Sequence, residues 1–125
     1  MSTPKTFEIY CAGKFIATPE TLAVYNPYDE SLVATTYLSG GAQLEEAVTA
    51  ASIVAEELRK MPSFKRYDIL KQISEALLDQ KQQFAELICL ESGKPIRYAL
   101  GEVDRSAQTF LVAAEECKRL PAEYL

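Results

Sequence analysis

The sequence predicts an α+β fold in which N-terminal β-hairpins are followed by three long helices. Residues 1–38 are predicted to form strands, because Phe7, Ile9 and Cys11 alternate with Glu8 and Tyr10, and Thr35, Thr36 and Tyr37 favour the extended state. At Ser39-Gly40-Gly41 the alternation stops, and apolar residues begin to recur at the helical spacing of three and four. Breaks at Met61-Pro62 and Gly93-Lys94-Pro95 then divide the helical region, 42–120, into three segments.

The strands are predicted to pair locally, as two β-hairpins. Ala12-Gly13 supplies the first turn. The second turn lies in the stretch 26–31, where Pro27 fixes φ and short polar side chains bond back to the backbone. No β-α-β unit follows, so we expect only hairpins and no complete parallel sheet. The paired segments are 7–11 with 14–16, and 22–25 with 32–38.

The first helix is predicted from one apolar face and from charges at both ends. Glu45 and Glu46 are expected in its first turn and Arg59 and Lys60 in its last, which suits the helix dipole. Met61-Pro62 ends it. Its apolar face consists of Leu44, Ala47, Val48, Ala51, Val54, Ala55 and Leu58.

The second and third helices are predicted from their end signals. The second, 63–91, has Ser63 as N-cap and Gly93 as a left-handed C′ residue. Its length of about 40 Å exceeds the diameter of about 30 Å expected for a domain of this size, so we expect it to lie across a larger body. The third begins with Pro95 at its first position and ends near Pro121. Its apolar face consists of Ile96, Leu100, Val103, Ala107, Phe110, Leu111 and Ala114.

Composition excludes several classes of function. Thirteen basic and eighteen acidic residues give the 125-residue chain a formal net charge of −5, which argues against nucleic-acid and membrane partners. The absence of histidine excludes Ser-His-Asp, Cys-His and His-metal sites. The polar N-terminus carries no targeting segment, and apolar runs fall far short of the roughly 20 residues that span a bilayer. We therefore expect a cytoplasmic protein.

The three cysteines are not predicted to be catalytic. They cannot all pair and none are two residues apart, so a disulfide framework, a zinc ribbon and a thioredoxin-like pair are not expected. Cys11 belongs to a hairpin, and Cys89 lies beside an apolar stripe, where a free cysteine usually acts as a small core residue. Cys117 stands next to Glu115 and Glu116, whose negative charge disfavours a thiolate.

Neither glycine-containing break fits a phosphate-binding motif. Around Gly93-Lys94, Ile88 occupies the first glycine position of a P-loop and Pro95 the Ser/Thr position. Ser39-Gly40-Gly41 is not G-x-G-x-x-G, and no parallel strand is expected before it. Adjacent carboxylates such as Glu45 and Glu46 point about 100° apart on a helix and do not share a proton. The residues thus predict no catalytic, cofactor-binding or metal-ligating group.

Arg105 is the one residue with an unusual position. It lies about 200° from Val103 and from Ala107, on the side of the third helix opposite the main apolar stripe. Either this face is solvated and Arg105 pairs with Glu102 at i,i+3, or the face meets another part of a larger protein.

Six short blocks, taken in order, resemble the aldehyde dehydrogenase superfamily from one end of the chain to the other. The part from Arg66 to Glu115 is most similar to the branch that contains lactaldehyde and non-phosphorylating glyceraldehyde-3-phosphate dehydrogenases. Each block is weak alone, but their order and spacing are specific. The blocks are Tyr10-Cys11-Ala12-Gly13-Lys14-Phe15, Asn26-Pro27, Lys65-Arg66-Tyr67-Asp68-Ile69-Leu70, Glu91-Ser92-Gly93-Lys94-Pro95, Gly101-Glu102-Val103-Asp104-Arg105 and Phe110–Glu115.

The resemblance implies an NAD(P)-dependent oxidation of an aldehyde to a carboxylic acid. In that family a cysteine thiolate adds to the aldehyde, a hydride passes to the nicotinamide, and a glutamate-activated water releases the acid. The family's catalytic cysteine lies in a G-Q-x-C block and its glutamate in an E-L-G-G block, and neither block occurs here. Cys11, Cys89 and Cys117 match neither. The arginine matching Arg105 helps to bind the anionic end of the substrate in the glyceraldehyde-3-phosphate branch, so Arg105 is a candidate substrate-binding residue of the full-length enzyme.

The resemblance also predicts what residues 1–125 are. They correspond to the N-terminal portion of the Rossmann-like cofactor-binding domain, a fragment that is expected to be inactive and not to bind NAD tightly. NAD or NADP, a small aldehyde, the remainder of the chain and further copies of the enzyme are the expected partners of the full-length protein. The isolated piece is expected to self-associate through its exposed apolar faces. The alternative is a self-contained, non-catalytic helical interaction module; the two hypotheses differ in whether the reading frame continues past Leu125 into a G-Q-x-C block.

Overall fold

The fold is that of a computed structural model, which describes residues 5–119. Within this range the chain forms five strands and then four helices. They divide into two units, one of residues up to 60 together with 90–93, and one of residues 61–89 together with those from 94 onward. The elements are β1 Lys5–Phe7, β2 Ile9–Cys11, β3 Lys14–Ile16, β4 Thr21–Tyr25, β5 Leu32–Tyr37, α1 Gly41–Lys60, α2 Ser63–Asp79, α3 Lys81–Ser92 and α4 Ile96–Cys117.

The first hairpin joins β2 to β3 and confirms the predicted Ala12-Gly13 turn. Tyr10 lies opposite Phe15 in the antiparallel register, and their rings meet edge to face with centroids 5.2 Å apart. Ala12 has φ 50° and Gly13 φ 88°. Two consecutive positive φ angles define the turn that matches the natural twist of a two-residue hairpin.

The second hairpin joins β4 to β5 and is also confirmed. The turn is held as predicted by short polar side chains: the Tyr28 N–H donates to Asn26 Oδ1, and the Ser31 N–H and hydroxyl both donate to Asp29 Oδ1. Glu30 takes a positive φ of 58° there. The hairpin therefore closes through Asx-type turns, which the sequence pattern had indicated.

The expectation that the strands form only hairpins was wrong. Phe7 and Cys11 do not share a strand, because the ladder breaks at Glu8, and β1 instead pairs in parallel with β5. The strand order of this sheet is β1-β5-β4. The Thr36 hydroxyl donates to the Phe7 carbonyl at 3.0 Å, which fixes the end of the parallel pair. Alternation continues through Glu8, so the pattern could not reveal the break.

Helix α1 begins at Gly41, earlier than the predicted acidic turn. The Gln43 side chain accepts the Gly40 N–H at 2.9 Å, which is the backbone half of a capping box. Glu45 and Glu46 consequently lie beyond the first turn, and the predicted dipole contact at this end was wrong. Arg59 and Lys60 do lie in the last turn, and both pair with Glu56.

The second predicted helix is two helices, so the prediction of three helices was wrong. The break lies at Gln80, whose φ of −105° and ψ of 17° leave the helical range. On either side of it, separate contacts with α4 form: the Ser74 hydroxyl donates to the Ala107 carbonyl, and Lys81 pairs with Asp104 at 2.7 Å. The helical pattern of the sequence is uninterrupted here, but the tertiary contacts on the two sides of Gln80 outweigh it. The argument that was based on a single helix of about 40 Å was therefore wrong.

Both predicted N-terminal residues of the later helices are displaced by one position. Pro62 is the N-cap of α2, and Ser63 is the first residue of that helix. The N-cap position of α2 makes no side-chain capping hydrogen bond. Pro95 is the N-cap of α4 and not its first residue. Both prolines have ψ near 140°, because the residue at the cap is extended. The left-handed conformation of Gly93 is confirmed by its φ of 69°.

The core of the second unit is built from small side chains on α4. Val103, Ala107 and Ala114 of the predicted apolar face are buried, and so is Ala99, which was not part of the predicted face. Ala85 of α3 packs against Ala99 and Val103, with Ile88, Cys89 and Leu100 at the margin of the cluster. Because alanine allows close approach, helix backbones can come near enough for the Ser74–Ala107 bond.

Candidate functional site

A short segment with a restricted backbone leads into α4 and carries Lys94. Gly93 before it has a left-handed φ, and Pro95 after it has φ −58° and ψ 137°. The first helical bonds follow at once, from the N–H groups of Tyr98 and Ala99 to the Pro95 carbonyl. Lys94 thus lies just outside the helix with little freedom of its backbone.

The exposed side of α4 forms a shallow groove of about 370 Å³ next to Lys94. It lies on the face that the sequence placed opposite the apolar stripe, with Tyr98 about half exposed. The Arg97 guanidinium packs over the Tyr98 ring at 4.5 Å and donates to its hydroxyl oxygen at 2.7 Å. The groove is lined by Lys94, Tyr98, Gly101, Glu102 and Arg105.

Glu102 is the central carboxylate of this groove. Lys94 Nζ donates a hydrogen bond to Glu102 Oε1. Arg105 Nη2 lies 3.7 Å from the same oxygen, which is beyond hydrogen-bond distance. The hydrogen bond from Lys94 lowers the pKa of Glu102, with partial burial opposing it and the charges of Lys94 and Arg105 adding smaller effects. Lys94 is therefore the principal partner of this carboxylate.

The predicted Glu102–Arg105 pair exists, but it is loose. The Arg105 side chain is 78% exposed, whereas that of Glu102 is 33% exposed. The Thr109 hydroxyl donates to the Arg105 backbone carbonyl at 2.9 Å, a contact that does not involve the guanidinium. The Arg105 guanidinium therefore keeps most of its donors directed to solvent.

Sequence reasoning missed Lys94 as a member of the site. The residue precedes Glu102 by eight positions, and helical spacing rules do not reach across a helix start. The contact arises because the extended cap at Pro95 turns the preceding residue back alongside the first two turns of α4. The stacking of Arg97 on Tyr98, between neighbouring residues, carried no signal either.

The three cysteines are free, and none of them lines this groove. Cys11 is buried, and its thiol donates to the Gln43 carbonyl at 3.3 Å. Cys89 packs against the Ala85 cluster, as expected of a small core residue. Among residues 5–119, no group of three or more His, Cys, Asp or Glu side chains is placed to hold a metal ion.

The start of α1 does not fit a dinucleotide phosphate. A parallel-paired strand, β5, does precede it, which corrects one argument made from the sequence. However, the Gly40 N–H is already bonded to Gln43 Oε1, so it is not free to bind an anion. Across the described part of the chain, no helix has both the length and the apolar character needed to cross a membrane.

A sequence profile of the aldehyde dehydrogenase family matches residues 15–125. The chain belongs to the aldehyde dehydrogenase family. Its resemblance to the lactaldehyde dehydrogenase branch is confirmed by relatives of that kind. The 3-sulfolactaldehyde dehydrogenase of Priestia aryabhattai is 31% identical over 119 residues, which are 95% of this chain and 24% of that protein. The lactaldehyde dehydrogenase of Methanocaldococcus jannaschii is 32% identical over 106 residues, 85% of this chain and 23% of that protein.

Comparison of structures leads to the same family. Aldehyde dehydrogenase 21 from Physcomitrella patens, solved with the reaction product succinate, superposes with a TM-score of 0.93 at 32% identity. The match covers 99% of this chain and 26% of that one. It confirms the predicted α+β arrangement of N-terminal strands followed by helices, and it places the chain in the N-terminal part of the aldehyde dehydrogenase fold. The chain spans about a quarter of the length of these relatives.

Proposed function

We propose that this chain is the N-terminal part of an NAD(P)-dependent enzyme that oxidises an anionic aldehyde to a carboxylic acid. Family membership supports the reaction class, and relatives of known structure bind NAD or NADP. Two similar proteins act on compounds that carry a further acidic group: one is named for 3-sulfolactaldehyde, and the other holds succinate as its product. An acidic group on the substrate is bound strongly by a cationic side chain, through charge-assisted hydrogen bonds.

Within this proposal the chain supplies structure and one substrate contact, and the chemistry comes from elsewhere in the enzyme. The thiol of Cys11 is buried and Cys89 is packed in a core cluster, so neither is placed to attack an aldehyde. The complete enzyme is proposed to provide the cysteine, the glutamate and the cofactor site through the rest of its chain. It is further proposed to work in the cytoplasm as a homo-oligomer.

Arg105 is proposed to bind the acidic end of the aldehyde. The observation that carries this role is a guanidinium that is 78% exposed in the groove and lies beyond hydrogen-bond distance of Glu102. A planar guanidinium can donate two parallel hydrogen bonds to a carboxylate, sulfonate or phosphate. Neutral aldehydes would gain nothing from it, so the residue would determine specificity.

The test is the substitution Arg105→Ala in the complete enzyme that contains this chain. Loss of a charge-assisted hydrogen bond of about 1.5–3 kcal/mol should raise KM for an anionic aldehyde roughly 10- to 100-fold. KM for a neutral aldehyde of similar size should not change. The matched control is Arg97→Ala, which removes a neighbouring cation that is engaged with Tyr98. An unchanged KM for the anionic aldehyde in Arg105→Ala would show that the role is wrong.

A further inference from the structure

Two cations compete for one oxygen in the α4 groove. Lys94 Nζ and Arg105 Nη2 both approach Glu102 Oε1, but only the ammonium is within hydrogen-bond distance. The two cations also differ in exposure: the Lys94 side chain is 35% exposed and that of Arg105 is 78% exposed. The carboxylate is thus paired with the less exposed cation, and the guanidinium is the more exposed of the two.

Helix geometry explains why this arrangement depends on Lys94. Side chains of a helix lean toward its N-terminus, so the Glu102 carboxylate leans toward Lys94 and the Arg105 guanidinium leans toward Glu102. At the same spacing on α1, Arg59 closes onto Glu56 with hydrogen bonds of 2.7 and 2.8 Å, and the lysine on that carboxylate, Lys60, follows it by four residues within the helix. Between Arg105 and Glu102 the distance stays at 3.7 Å while Lys94 occupies the oxygen. Without Lys94, nothing else among the groove residues would compete with Arg105 for Glu102.

We infer that Lys94 is a positioning residue, which holds the Glu102 carboxylate away from Arg105 and so keeps the guanidinium free to bind an anion. The charges are consistent with this role. Lys94, Glu102 and Arg105 together carry a formal charge of +1, and the Lys94–Glu102 pair accounts for the two charges that cancel. The remaining positive charge is therefore located on Arg105, whose fork geometry selects oxyanions. Lys94 lowers the pKa of Glu102 more than Arg105 does, which agrees with Lys94 being the principal partner of this carboxylate.

This inference rests on the proposed function only in taking the anion to be the acidic group of the substrate. The competition itself is a property of the 125-residue chain and can be measured without substrate. Failure of the substrate role would appear as an unchanged KM in Arg105→Ala. Failure of the competition would appear as an Arg105 side-chain resonance that does not change in Lys94→Met. The two failures are therefore distinguishable.

The decisive experiment follows the Arg105 Nε–Hε resonance by NMR in the 125-residue chain, assigned by its loss in Arg105→Lys. Lys94→Met should shift this resonance and slow its exchange with water, because Glu102 then closes onto the guanidinium. Lys94→Arg should leave it unchanged, since a cation still occupies the oxygen. The double substitution Lys94→Met/Glu102→Gln should return it to the position of the original chain, because no carboxylate remains to bind it.

Titration with inorganic phosphate gives a second readout. Lys94→Met should weaken phosphate binding about fivefold, the double substitution should restore it, and Arg97→Met serves as the charge-matched control because it removes one cation without releasing Glu102. If Lys94→Met leaves the Arg105 resonance unchanged, the inference is overturned. Equal weakening by Lys94→Met and Arg97→Met would overturn it as well, because net charge alone would then explain the loss.

Discussion

Helices α1 and α4 are similar in length, 20 and 22 residues, yet they use their apolar faces in opposite ways. On α4, four small residues are buried, and three of them, Val103, Ala107 and Ala114, belong to the predicted face. On α1 no residue is buried, and large aliphatic side chains such as Leu44 and Leu58 remain more than half exposed. Each helix belongs to a different unit, and each face was predicted by the same periodicity. Periodicity therefore identifies a face able to pack, whereas the presence of a partner is a separate property.

The largest expected difference between the two helices comes from enlarging an alanine. Ala99 is fully buried on α4, and a leucine there has no free space, so Ala99→Leu should lower the free energy of unfolding by about 1–3 kcal/mol. Ala51 lies on the exposed face of α1, and Ala51→Leu should change it by less than about 0.5 kcal/mol. Urea unfolding of both variants measures the difference. Equal effects would mean that the α1 face is covered in solution.

A smaller difference is expected from two serines that donate to helix carbonyls. The buried Ser74 hydroxyl joins α2 to the Ala107 carbonyl of α4 at 2.8 Å, and Ser74→Ala should cost about 1 kcal/mol of stability. The exposed Ser52 hydroxyl only bonds back to the Val48 carbonyl of its own helix. Ser52→Ala should stabilise the chain by up to about 0.5 kcal/mol, because alanine is the better helix former. Thermal unfolding of the two variants should therefore shift in opposite directions.

The smallest expected difference concerns carboxylates on the two helices. The pKa of Glu102 on α4 is lowered chiefly by Lys94, and that of Glu56 on α1 chiefly by Arg59. A lowered folded pKa means that the stabilisation is fully present above the ordinary value of 4.5 and disappears as pH falls through the lowered folded value.

Glu102→Gln should therefore unfold at lower urea concentration than the original chain at neutral pH, and the two should converge as the pH falls below the lowered pKa of Glu102. Glu56→Gln should show the same trend with a smaller amplitude, because its partners lie within the same exposed helix and water screens them. A Glu102→Gln difference that grows on acidification would contradict the assignment.

Local chemistry was predictable where it depends on neighbouring residues. The Ala12-Gly13 turn, the Asn26–Ser31 turn and the left-handed Gly93 all follow from backbone preferences. The break at Gln80 and the parallel pairing of β1 were not predictable, because the amphipathic pattern continues through both and distant contacts decide them. Arg105 was identified from its place on the helix, whereas Lys94 depends on how the chain turns into the helix.

The parallel pair of β1 and β5 has a consequence for the order of folding. Lys5 pairs with Ala34, so this contact closes a loop that contains the first hairpin and most of the second, whereas β2 and β3 are joined by a two-residue turn. Closing the longer loop costs more entropy, and hairpins form within about 1–10 μs, so β1 should join its sheet after both hairpins exist. Pulse-labelled hydrogen exchange should then find the β2–β3 amides protected before those of the β1–β5 ladder. The first strand in the chain would thus be among the last parts of its unit to become ordered.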